Sequence, residues 1–143
     1  INKKVNLVDI IDDAFEMMSE KVAKNFGILS KKIQLSAYEM QGNHDVLVGA
    51  LVNLIQNSLE AVSQINPEIE IGLEEKNNHV YLYVQDNGCG FKSNHLHQVM
   101  EPFFTTKESG TGLGLSVVLF VAHKHGAMVN ISNRLTKIFF LLF

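Results

Sequence analysis

The sequence predicts an α+β fold on three observations. Residues 8–25, 45–62 and 113–125 space their apolar side chains at helical steps. Shorter stretches alternate apolar and polar residues as half-buried strands do, most clearly 68–73 and 79–86. Two glycine clusters, Asp86-Asn87-Gly88-Cys89-Gly90 and Gly110-Thr111-Gly112-Leu113-Gly114-Leu115, flank a long segment without a steady period. At 143 residues the chain is one domain, residues 1–143, with room for a real core.

Taken in order, residues 3–7 suggest a short edge strand. The first helix follows from Ile10, Ile11, Ala14, Phe15, Met18 and Val22, with Asp9, Asp12, Asp13 and Glu16 near its positive end. Gly27 is its expected stop. Ile33, Leu35 and Ala37 alternate and predict a strand, and Gln41-Gly42-Asn43 predicts a turn. The second helix carries Leu47, Leu51, Leu54, Ile55, Ser58 and Val62 as one stripe, with Asn53, Asn57 and Glu60 on roughly the opposite side. Two readings of those asparagines stay open. They are a solvated face, or their amide oxygens are hard ligands for a magnesium ion that shares phosphate oxygens.

Residues 68–73 put Ile69, Ile71 and Leu73 on one face, and Asn77-Asn78 marks a hairpin. In 79–86, Val80, Leu82 and Val84 face the core, and period two puts Asp86 on that same side. A carboxylate in phase with the core needs a partner. Local backbone can supply one, and so can a ligand donor. Residues 95–100 suggest one helical turn, with Phe103 and Phe104 anchoring the segment. The third helix is expected to bury Leu113, Val117, Phe120 and Val121, and to end at Gly126. Ala127, Val129 and Ile131 suggest a strand, and 135–143 a last one, apolar on both faces.

Glycines let backbone N–H groups approach an anion, and a helix N-terminus adds a positive dipole end. The paired clusters therefore suggest a phosphate-binding loop with a movable cover, against the plainer alternative of two glycine turns around a flexible loop. The net charge of −3 gives no basic footprint, so nucleic acid is not an expected partner. The single cysteine excludes an internal disulfide, and His95/His97 and His123/His125, spaced two apart, are read as surface residues. No apolar run reaches membrane-spanning length and no signal peptide is visible, so direct membrane contact is not expected. The chain begins at Ile1 and stops inside an apolar run at Phe143, and is expected to be a piece of something longer.

With these residues in view, the chain resembles the catalytic and ATP-binding domain of bacterial sensor histidine kinases, the Bergerat or GHKL fold shared with gyrase. Residues 53–58 resemble the asparagine box of that family, 86–90 its first glycine box, 101–107 its phenylalanine box and 110–115 its second glycine box. The wording Phe103-Phe104-Thr105-Thr106-Lys107 is similar to the nitrogen-regulation type. The resemblance implies a two-layer α/β sandwich: a mixed, mostly antiparallel sheet of about five strands, covered on one face by three helices, with a mobile ATP lid. It implies ATP and Mg2+ as cofactors, with Asn57 on the metal and Asn53 one turn earlier. By the same resemblance Asp86 accepts from the adenine amino group, and Gly88 and Gly90 let the backbone pass the base. Lys107 contacts phosphate, and Gly110, Thr111, Gly112, Leu113, Gly114 and Leu115 form the lid hinge and phosphate-facing amides.

In ATP-hydrolysing relatives a glutamate general base stands where this chain has Asn53. An amide does not take a proton from water near neutral pH. The resemblance therefore implies a kinase domain rather than a GHKL-type ATPase or an anti-sigma-type serine kinase. A degenerate nucleotide-sensing module is the non-enzymatic alternative. None of the six histidines sits in an acceptor context. The phosphoacceptor is thus expected on a dimerisation domain before Ile1, with a response regulator downstream. The fragment itself is expected to be monomeric and cytoplasmic.

Overall fold

The computed structural model describes residues 3–61, 66–88, 113–132 and 135–141. Among them the chain forms β1 (Lys3–Asn6), α1 (Leu7–Lys24), β2 (Ile28–Ile33), β3 (Glu39–Gly42), α2 (His44–Ala61), β4 (Glu68–Lys76), β5 (His79–Asp86), α3 (Leu113–Lys124), β6 (Met128–Ser132) and β7 (Leu135–Leu141). A five-stranded sheet has the order β2-β4-β5-β7-β6, and β1 pairs with β3 in a separate two-stranded ribbon. The β2–β4 pair is parallel and the remaining pairs are antiparallel. α1 packs on β2 and β4, α2 on β4 and β5, and α3 on α2 and β6. The expected α+β sandwich, with a mixed sheet and three helices, is the observed one.

Local chemistry explains where the elements start and stop. Asn6 caps α1 by accepting the Val8 N–H at 3.1 Å, and the same Oδ1 accepts the Tyr38 N–H at 3.1 Å. Past the end of α1 the left-handed residue is Phe26, with φ 60°, rather than Gly27. Gly27 is needed for space: a Cβ there would lie 2.8 Å from the Pro67 carbonyl oxygen. Asn77 and Asn78, with φ 52° and 63°, form the two-residue turn whose twist suits a β-hairpin. Gly126, with φ 70°, closes α3 as expected.

The core lies between helices and sheet. Ile10, Ile11 and Ala14 of α1 meet Leu51 and Ile55 of α2, with Ile69, Ile71, Leu73, Val80 and Leu82 below, each of these nearly inaccessible. Each large aliphatic side chain buried this way stabilises the fold by about 1.5–3 kcal/mol before entropy is counted.

Three expectations are corrected. The strand placed on Ile33, Leu35 and Ala37 lies earlier, at Ile28–Ile33: the chain leaves the sheet after the Gln34 N–H meets the Leu73 carbonyl at 2.8 Å. Leu35 still packs on the core from outside a strand, which is why the alternation misleads. Gln41 and Gly42 are not a turn, because Lys3 and Lys4 pair with them in β1. α3 buries Val118, Val121 and Ala122, while Val117 and Phe120 are 43% and 62% exposed. Val117 to Ala122 of this helix are apolar without a break, so spacing alone fits more than one face. The expected turn at 95–100, Phe103, Phe104 and Val62 lie outside the described residues.

Candidate functional site

Asp86 is the last residue of β5, opposite Ile69 in the ladder. Val80, Leu82 and Val84 precede it on the buried face, so the pleat turns Asp86 toward the helix layer. It is half-buried, and its Oδ1 accepts the Gly88 N–H at 2.7 Å. Among the described residues this is its one side-chain hydrogen bond. Gly88 itself is buried.

Sequence reasoning assigned no role to Asn87, yet Asn87 fixes this end of the site. Its Oδ1 accepts the Glu68 N–H at 2.9 Å. Its Nδ2 donates to the Asn66 carbonyl at 3.0 Å and to Glu68 Oε2 at 3.4 Å. The start of β4 is thereby tied to the residue after Asp86. The side chain of an Asn in an Asp-Asn-Gly run is a recognisable backbone-bonding element, but its partner is 19 positions away.

The other face of the hairpin is a structural lock. The Tyr83 hydroxyl donates to Glu70 Oε2 at 2.8 Å, and its ring lies across Gly72. Burial first, then the bond to Glu70 and the charges of Glu70 and Glu74, push the phenol above its ordinary range.

α2 presents the second set. Asn43 caps it, its Oδ1 accepting the Val46 N–H at 3.1 Å. Leu47, Leu51, Leu54, Ile55 and Ser58 are buried as expected. Asn53 and Asn57 flank that stripe, half-buried rather than fully solvated, and neither side chain has a hydrogen-bond partner among the described residues. Glu60 is exposed and accepts from Gln56 Nε2 at 2.8 Å. α2 packs directly on β5, so the asparagine helix and the strand ending at Asp86 are neighbours. A half-buried amide oxygen with no described protein partner suits a hard cation that takes most of its ligands from phosphate and water.

Gly90, Lys107, Gly110, Thr111 and Gly112 lie outside the described residues. Leu113, Gly114 and Leu115 form the first turn of α3. His123 is exposed, as expected, but His125 is not a plain surface residue: it is half-buried and both ring nitrogens are engaged. A cavity of about 650 Å³ at the opposite end of α2, lined by Lys3, Asp9, Glu39 and Asn43 among others, includes neither Asn57 nor Asp86. Its mixed charges select no ligand.

The chain belongs to the family described as histidine kinase-, DNA gyrase B-, and HSP90-like ATPase, whose model matches residues 42–142. Within that class it is similar to the sensor histidine kinase ZraS of Escherichia coli (strain K12), 30% identical over 136 residues, covering 91% of this chain and 28% of ZraS. It is also similar to sporulation kinase A of Bacillus subtilis (strain 168), 26% identical, covering 96% of this chain and 22% of that kinase. The fold matches the catalytic domain of histidine kinase ThkA with a TM-score of 0.82 at 26% identity, covering 97% of this chain and 93% of that one. The chain thus spans under a third of the curated relatives it matches. Among the described residues no helix is long and apolar enough to cross a membrane.

Proposed function

We propose that this chain is the ATP-binding catalytic domain, residues 1–143, of a two-component sensor histidine kinase. It delivers the γ-phosphoryl group of ATP to a histidine on a separate dimerisation domain of the parent protein, from which a response regulator is charged. The observation that carries this reading is the pair of half-buried amides of Asn53 and Asn57, unpartnered among the described residues, on the helix packed against the strand that ends in Asp86.

Asp86 Oδ2 accepts from the adenine amino group, and guanine, with an oxygen there, is rejected. Sites built on such polar pairing discriminate strongly because the wrong ligand leaves a polar group unpaired. Gly88 and Gly90 let the base approach. Asn57 holds Mg2+ and Asn53 lies one turn earlier, toward the phosphates. The ion, when bound, neutralises phosphate charge. Lys107 and the amides of Gly110, Thr111, Gly112, Leu113, Gly114 and Leu115 complete the phosphate contacts. Phosphoryl transfer asks mainly for positioning and charge neutralisation, and Asn53 supplies no base for water. Hydrolysis is therefore slow, which favours the kinase over a GHKL-type ATPase. The box wording supports the nitrogen-regulation type. The kinase portion works in the cytoplasm, without nucleic acid or direct membrane contact, and the fragment is monomeric.

Calorimetry with a non-hydrolysable ATP analogue tests the reading. Binding is expected to require Mg2+ for full affinity and to be absent with the GTP analogue, while radioactive ATP leaves the isolated chain unlabelled. Equal binding of both purines, or rapid phosphate release, contradicts it.

A further inference from the structure

His125 immediately follows the last residue of α3. Its Nδ1 lies 2.8 Å from the Val121 carbonyl oxygen, which only accepts, so Nδ1 carries the proton. Its Nε2 lies 3.1 Å from the Asn43 nitrogen and accepts that N–H. Two backbone groups thus fix the ring as the neutral Nδ1–H tautomer. A Cβ at Gly42 would lie 2.6 Å from His125 Cδ2 and 2.9 Å from Nε2, so glycine at 42 makes room for the ring.

The ring joins two helix ends. Asn43 caps the start of α2, and Val121 belongs to the last turn of α3. α2 and α3 also pack against one another. Joined end to start, they run in opposing senses, so the first turn of α3 lies toward the half of α2 that carries Asn53 and Asn57. At 1.5 Å per residue, Asn57 is about 21 Å along α2 from the staple, and Leu113 about 18 Å along α3. Rotation at the staple is magnified over those lengths, and productive binding tolerates little misplacement.

We propose that His125 is a positioning residue for the phosphate end of the nucleotide site, setting α3 against the asparagine helix. This rests on the proposed ATP-binding function. It predicts that the staple matters for the magnesium-phosphate part of the ligand and not for the base, which Asp86 reads from the hairpin.

The test is calorimetry of wild type, His125→Ala, His125→Gln and His125→Asn with adenosine and with the ATP analogue plus Mg2+, at a temperature where circular dichroism shows each folded. His125→Ala is expected to weaken the magnesium-nucleotide complex about tenfold, the weight of one or two lost hydrogen bonds, with adenosine affinity unchanged. Gln, whose amide oxygen reaches toward the Asn43 N–H, restores most of the loss. Asn, too short for that bond, does not. Should His125→Ala fail to fold, the Gln and Asn variants carry the same contrast. A merely structural histidine lowers the melting temperature but leaves the ratio of the two affinities alone, and an unchanged ratio in every folded variant overturns the proposal. Failure of wild type to bind the ATP analogue overturns the functional reading as well; normal wild-type binding with unaltered variants overturns this inference alone.

Discussion

Asp86 stands on a hairpin whose strands are joined by a two-residue turn and whose open end is tied by Asn87 to Glu68 and Asn66. Asn57 stands in the C-terminal half of α2, its side chain without a hydrogen-bond partner among the described residues. α2 is positioned by its buried stripe, by the sheet beneath and by His125 at its start. One end of the site is thus held by contacts along a local ladder, and the other by packing between elements far apart in sequence. A reader of a flat base gains from a rigid hairpin. In the proposed function the base contact sits on that local scaffold and the metal contact on the helix set by packing.

The comparison can be broken by attacking each scaffold in turn. The largest effect is expected from Ile55→Ala, which empties a fully inaccessible position in α2. Chemical denaturation should report a loss of about 2–5 kcal/mol, because the cavity opens where helix meets sheet. Gly72→Ala follows. A Cβ there would lie 1.9 Å from the Tyr83 ring, so the ring must move and give up its bond to Glu70. A loss of about 1–3 kcal/mol is expected from such overpacking. Combining it with Tyr83→Ala should remove the clash, so the double variant loses less than the sum of the singles.

Asn87→Ala is expected to be milder, about 1–2 kcal/mol, since the Glu68 N–H can find water. Its signature is functional: ATP-analogue affinity should fall by a similar factor with and without Mg2+. A fall seen only with Mg2+ would move Asn87 to the phosphate end and undo the contrast.

The same contrast explains what the sequence made legible. Period two in 79–86 placed Asp86 on the inward face because a strand on a half-buried sheet leaves only one phase. Asn77-Asn78 announced the turn because few residues tolerate two positive φ values in a row. The α2 stripe was readable because Asn53, Gln56, Asn57 and Glu60 break its apolar run. α3 has no such break, so Val118 could not be told from Val117 as its core residue. His125 and Asn87 were missed for a related reason. Their partners are 82 and 19 positions away, and local pattern carries no information about who sits across a gap of that length.

The most direct measurement is a thermodynamic cycle in calorimetry with Asp86→Asn, Asn57→Ala and the double variant, each titrated with ATP and GTP analogues at saturating and zero Mg2+. Two ends that act separately predict that Asp86→Asn abolishes the preference for adenine and leaves the magnesium dependence intact. Asn57→Ala should do the reverse, and the double variant should show both losses, nearly additive. If Asn57→Ala keeps the full magnesium dependence, or Asp86→Asn still prefers adenine as wild type does, the account is wrong at its centre.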